Sequence, residues 1–277
     1  MVTDPYREFR QVVDRPEEQI DLGQAALTIA LGDYPNLDVL NYLARIDQLA
    51  LDVTRRSGSE ADIYRSLAAL NYVLFTQYGF HGNRDDYFDP KNSFLNEVIE
   101  RKTGIPITLS ILYMEVARRV GLRLDGVGFP GHFLVKCTCD GDEIVIDPFN
   151  GGEIKSREDM DRMLFNLSGG KVAFHRDLLA TSGKKDILKR MLTNLKAIYI
   201  NRNDLAKSLS VLDCLVILDP AAAEDTRDRG VVYLKLECYA QAREDFETYL
   251  RLRPDADDAA LVRNQITRLA KEVTRIH

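Results

Sequence analysis

The chain reads as an α+β protein followed by an all-α helical array, and three observations predict this. Apolar residues recur at helical spacing through most of the first hundred positions and again after residue 185. Between these stretches lie two extended runs, GVGFPGHFLVKC and EIVIDPF, joined by the turn signal Asp140-Gly141-Asp142. Finally, Pro220 and Pro254 each close a pair of expected helices and stand 34 residues apart.

The helical elements follow in order. AALTIALGDYP has helical composition and stops at Pro35. LDVLNYLARIDQLALDVTRR then sets Leu40, Leu43, Ile46 and Leu49 on one stripe before the break at Ser57-Gly58-Ser59. EADIYRSLAALNYVLFTQYG continues the pattern to Gly79. FHGNRDDYFDPKN, dense in Gly, Asn, Asp and Pro, is expected to be a structured loop with more aromatic content than a connector needs. Ser93 offers a cap to the helix FLNEVIERKTG.

GIPITLSILYMEVARRVG reads as a helix of about four turns. Pro106 suits its first position, Arg118 and Arg119 complement its last turn, and Gly121 ends it. Leu109, Leu112, Val116 and Val120 form one stripe and Ile107, Ile111 and Met114 another, which predicts a central position. Ile105 cannot cap the first turn, so main-chain donors there are left to face a cleft or an anion.

A hairpin closed across residues 139 to 142 pairs positions whose numbers sum to 281, by the alternation of strand side chains. His132 then faces Phe149, with Asp147 as its diagonal neighbour on the same face. An imidazole beside a carboxylate is what an acyl-transfer site requires as base and tautomer-fixing acid. Cys137 and Cys139 have the opposite parity to His132 and point away from it. Cys214 and Cys238 fall in the helical array, where small apolar packing is the usual role. No second pair completes a zinc set around Cys137 and Cys139, and His81 with Asn83, Asp85 and Asp86 does not match a calcium loop. Neither metal nor cofactor is expected, and His175 and His277 carry no partner signal.

Composition excludes several classes of function. A hydrophobic share of 45% with 29% charged residues describes a globular chain, and a net charge of -6 without a basic stripe argues against nucleic acid. MVTDPYREFR lacks the pattern of a signal peptide and no apolar run approaches a membrane span. Four cysteines without framework spacing fit a reducing compartment, so a cytoplasmic location is expected.

The run GFHGNRDDYFDPKNSFLNEVIERKTGIPITLSILYMEVARRVGL, followed by GVGFPGHFLVK and IDPFNGG, resembles the bacterial transglutaminase-like family of the SirB type. Its members commonly carry tetratricopeptide repeats, and the likeness covers roughly residues 20 to 170. The resemblance implies a transglutaminase- or papain-like core, a central helix on an antiparallel sheet. His132 and Asp147 would stand at the positions of catalytic base and orienting acid, with the nucleophile in the first turn of the central helix, near Ile107 or Thr108. No cysteine occupies that turn. Thr108 or Ser110 would have to serve, although a helical threonine hydroxyl often bonds back to a carbonyl one turn earlier.

The 34-residue spacing is the tetratricopeptide period. Gly230, Tyr233, Ala242 and Phe246 fit the repeat's small and aromatic positions, while the preceding unit keeps Leu195 and Tyr199 but has Ser208 and Leu212. DDAALVRNQITRLAKEVTRIH reads as a capping helix. The expected division is 1–180 for the helical region with its core and 186–277 for the array, hinged at Thr181 to Lys185. Two repeats are fewer than independent stability requires, so the array should lean on the first part or on another subunit.

Three functions follow from different classes. The first is an interaction or scaffold protein on a core that has lost its thiol, meeting a protein or peptide through the repeats. The second is an acyltransferase or hydrolase using His132 and Asp147 with a non-cysteine nucleophile such as Thr108. The third is a sensor whose remnant cleft holds a small ligand or peptide without turnover.

Overall fold

The computed structural model describes residues 6–58, 61–139 and 141–276. Ser59, Glu60, Asp140, His277 and the first five residues, all within stretches read above, lie outside them. Short α1 (Arg7–Val13) buries Phe9, Val12 and Val13. Asp21 caps α2 (Leu22–Ile29), its carboxylate accepting from the Gln24 amide at 2.8 Å. Asp38 does the same for α3 (Val39–Ser57), which buries Val39, Ile46, Leu49, Ala50 and Val53. Leu40, placed on that stripe from the sequence, is 75% exposed instead. Six residues before Ile46 it sits about 240° round the helix, whereas Val39, two full turns before Ile46, faces the core.

The next helix, α4 (Ile63–Asn71), passes into a π-helical turn at Tyr72–Gln77. The loop that follows is anchored by strand β1 (His81–Gly82). Asp89 caps a short 3-10 turn at Pro90–Ser93, and α5 (Leu95–Arg101) begins after Phe94. Ser93 therefore caps nothing. The chain has already turned under the control of Asp89, and the Ser93 hydroxyl is buried with no hydrogen-bond partner. β2 (Thr103–Gly104) runs parallel to β1 and leads directly into α6 (Pro106–Arg119). Every residue of α6 from Pro106 to Ala117 is buried, so the central position read from its two apolar stripes holds.

Beyond Gly121, which turns the chain with φ +80°, comes a four-stranded antiparallel sheet. It comprises β3 (Asp125–Val127), β4 (Leu134–Cys139), β5 (Asp142–Asp147) and β6 (Glu153–Ile154) in that order. Val135 pairs with Ile146 and Cys139 with Asp142, the register the turn predicts. GVGFPGHFLVKC is not one strand, however. Pro130 and Gly131, with φ +68°, make a tight turn in which the His132 amide donates to the Phe129 carbonyl at 3.0 Å, and β3 folds back onto β4. His132 thus sits in the turn ahead of β4.

Side-chain parity divides the sheet's two faces. Val135, Cys137, Ile144 and Ile146 join the core around α6. Leu134 and Val145 meet Met160 and Leu164 of α7 (Arg157–Ser168) on the other side. Residues 181 to 185, expected to act as a hinge, are tied to the sheet: Thr181 bridges Val127, and the Ser182 amide donates to Gly126 O at 2.8 Å. Lys184 donates to the carbonyls of Glu18 and Ile20.

The remaining helices are α8 (Lys184–Asn201), α9 (Leu205–Leu218), α10 (Ala223–Lys235), α11 (Tyr239–Leu252) and α12 (Ala259–Ile276). Leu188, Leu192, Leu195, Tyr199, Leu212 and Leu215 belong to the same continuous core as α2, α3 and α6. Ala242, Phe246 and Tyr249 instead form a separate small core with Val262 and Leu269 of α12. As anticipated from two repeats, the array leans on the first part of the chain.

Candidate functional site

The turn ahead of β4 and the end of β5 bring together the pair singled out in the sequence. His132 Nε2 lies 2.9 Å from Asp147 Oδ1. Asp147 is fully buried, ends β5 and caps the 3-10 turn Pro148–Asn150. Its Oδ2 accepts from the Asn150 carboxamide at 2.6 Å, and Lys155 Nζ stands 3.5 Å away. Burial by itself would raise the Asp147 pKa. The bonds from His132 and Asn150 and the charge of Lys155 outweigh it and hold the carboxyl below its ordinary value. The Phe149 ring meets the imidazole edge to face at 5.7 Å, so the contact predicted between these two residues is made although neither belongs to a strand.

This carboxylate-bearing loop is held from behind. Asn71, at the end of α4, donates its carboxamide N–H to Gly152 O at 3.0 Å and accepts from the Tyr113 hydroxyl of α6 at 2.7 Å. Gly152 N in turn donates to Asp147 O. With φ +78°, Gly152 adopts a conformation that favours glycine, and a β-carbon there would lie 2.1 Å from Asn71 Oδ1.

The start of α6 supplies no reactive group to this pair. Thr108 is buried, and its hydroxyl donates to Asn92 O at 2.7 Å while accepting from the Ile105 amide at 3.2 Å. The donor at Ile105, expected to be left open, is therefore satisfied from within the first turn. No hydrogen bond joins Thr108 to His132 among the described residues. Ser110 is buried without a partner, deeper in the helix. Cys137 packs into the main core, where burial pushes its thiol pKa up, the reverse of what a nucleophile needs.

A cavity of about 190 Å³ opens in front of His132, lined by Pro106, Ile107, Gly131, Arg190 and Asn194 among others. Arg190 of α8 donates to the carbonyls of His132 at 2.6 Å and Phe129 at 3.3 Å, with its guanidinium over the Phe133 ring. Burial holds its pKa below the usual arginine range, yet the group stays charged at neutral pH. A second cavity of about 360 Å³ adjoins the first, shares Tyr87, Ile105 and Asn194 with it, and adds Phe88, Ser93, Ala197, Ile198, Asn201 and Arg202. The cleft thus runs between the aromatic loop and α8, so the first helix of the array forms one of its walls.

Arg190 and Asn194 were not legible as site residues, because they approach the dyad across more than forty positions of chain. Asn150 had a local signal, an Asp-Pro-x-Asn turn in which the asparagine folds back on the aspartate. His81 is engaged elsewhere, its ring nitrogens near Gly79 O and Thr103 Oγ1. Asn83 and Asn92 bond each other within the loop, as turn-formers do.

Comparisons with known proteins bear on both halves of the chain. A model of the transglutaminase-like superfamily matches residues 40–193, and one of the tetratricopeptide repeat matches residues 195–267. A UPF0162 protein of Xylella fastidiosa (strain 9a5c) is 38% identical over 265 residues, covering 94% of each chain. A UPF0162 protein of Vibrio cholerae is 28% identical over 214 residues, 77% of this chain and 79% of that one. F-box only protein 21 of Mus musculus is 38% identical over 138 residues, which span 47% of this chain and 21% of that protein. No solved structure matches.

Proposed function

We propose that this chain, which belongs to the transglutaminase-like superfamily, is a non-catalytic member that serves as an interaction or scaffold module, with its tetratricopeptide repeats contacting a protein partner. The observation that carries the reading is the composition of the cavity in front of His132. Pro106 and Ile107 stand where an attacking group would be needed, and the nearest hydroxyl in sequence, that of Thr108, is committed to Asn92 O. An imidazole oriented by a carboxylate but facing no acidifiable proton has nothing to activate. No described helix is long and apolar enough to cross a membrane, and a cytoplasmic setting accords with four free cysteines.

One observation favours a second reading, acyl transfer or hydrolysis through His132 and Asp147 with a nucleophile such as Thr108. The dyad is intact and uses Nε2 for the carboxylate, leaving Nδ1 unengaged among the described residues. For that reading Thr108 would have to surrender both bonds of its hydroxyl. An assay of amine incorporation into a glutamine-containing protein separates the two. Background-level incorporation, together with capture of a partner by the full chain that is lost when the repeats are mutated, supports the scaffold. Incorporation that disappears in His132→Ala overturns it.

A further inference from the structure

The cleft beside the dyad is lined by groups whose bonding is incomplete. At one end half-buried Arg190 carries a charge with no carboxylate paired to it among the described residues, its guanidinium meeting two main-chain carbonyls and the Phe133 ring. His132 Nδ1 is unengaged beside it, and the positive end of the α6 dipole, at Pro106 and Ile107, borders the same cavity. Further along, the Ser93 hydroxyl is fully buried and unpartnered where it lines the cleft. Asn194 and Asn201, seven residues apart and so on one face of α8, present carboxamides with no hydrogen bond among the described residues. The walls between these polar groups are Phe88, 71% exposed, with Ile105, Ala197 and Ile198.

Both ends of the cleft are bridged. Arg190 crosses from α8 to His132 O at 2.6 Å, and Arg202 crosses to Phe88 O at 3.2 Å. A chain running through would have to break one of these bonds, whereas a small molecule lies between them. The available space falls in the range that small ligands occupy.

We propose that this cleft binds a small carboxylate bearing an amide and an apolar side group, as an N-acylated amino acid does. The carboxylate lies against Arg190 at the positive end of α6, the amide against Asn194 and the Ser93 hydroxyl, and the apolar group against Phe88 and Ile198. Binding leaves the ligand intact, and in that clause alone the inference rests on the non-catalytic reading above.

Calorimetric titration of the full chain with N-acetyl-leucine, N-acetyl-leucinamide and 4-methylpentanoate tests it. The acid should bind about tenfold tighter than its amide, the effect of one charge-assisted contact. 4-Methylpentanoate, which lacks the amide, should bind several-fold more weakly than N-acetyl-leucine. Arg190→Gln should erase the preference for acid over amide. Asn194→Leu, which fills the cleft at a half-buried position, should abolish binding of all three while the protein melts as before. Equal affinity for the three probes, binding that survives Asn194→Leu, or no heat at millimolar concentration would overturn the proposal. So would tighter binding of N-acetyl-Ala-Ala-Ala-Leu, which would make the site a peptide groove. Mass spectrometry of the recovered probe keeps the two readings apart: a cleaved amide refutes the non-catalytic function and leaves the site standing, and absent binding does the converse.

Discussion

The two helical units after residue 184 superimpose in sequence at an offset of 34 positions, yet they are held in different ways. In the first, Leu195 points into the common core with α2 and α6. In the second the equivalent residue is Arg229, which bridges Asp213 and Asp245 across neighbouring helices. Ala242 and Phe246 have as counterparts Ser208, which is buried with its hydroxyl donating to Asp204 O at 2.7 Å, and Leu212, which belongs to the main core. Gly230 is a close-approach position, since a β-carbon there would lie 2.9 Å from the Phe246 ring, and its counterpart Lys196 pairs with Asp225 and Asp228 of α10. The first unit is thus built into the main core, while the second closes a small core of its own with α12.

The largest test of this contrast is truncation. A chain ending at residue 221 should keep a cooperative melt, because α8 and α9 complete the main core. One ending at residue 184 should fail to fold, since Leu188, Leu192 and Leu195 leave their partners unburied. Circular dichroism decides it, and a cooperative melt of the shorter chain would break the comparison. Single substitutions sharpen it. Phe246→Ala should cost about 3–5 kcal/mol and Leu195→Ala about 2–5 kcal/mol. Hydrogen exchange should show the first loss confined to α10–α12 and the second spread to α2 and α6.

The dyad belongs with the first unit through Arg190, and acid should expose it. The Asp147 pKa is depressed on folding, so the unfolded chain takes up protons first. The stability from this group is complete above the ordinary carboxyl value near 4 and fades as pH falls through the lower folded value. Asp147→Asn should cost about 1–3 kcal/mol at neutral pH and flatten stability below about pH 4, read by urea unfolding at both pH values. Smallest is Gly230→Ala, where crowding of Phe246 opposes alanine's helical preference. A net loss of about 1 kcal/mol in denaturant unfolding is expected, limited to the second unit.

Local chemistry made much of this legible. Pro106 and Gly121 bracket α6, the turn before Asp142 set a hairpin register that placed Asp147 beside His132, and the proline spacing marked the repeats. What escaped depends on distant packing or on a choice between adjacent candidates. Ser93 reads as a cap, but Asp89 reaches the exposed amides first. Thr181 to Lys185 reads as a linker, because nothing in those residues announces a strand waiting at Val127. The wall contributed by Arg190 and Asn194 has no signature at all within α8, whose pattern records only the face turned to the core.

Asn71 and Gly152 carry a consequence for descent. Any larger residue at 152 meets both an unfavourable backbone angle and the Asn71 amide, while a smaller residue at 71 strips the support from the Gly152 carbonyl and the Tyr113 hydroxyl. Neither position can be exchanged profitably before the other, so the two are expected to be inherited as one character, outlasting changes at the surface.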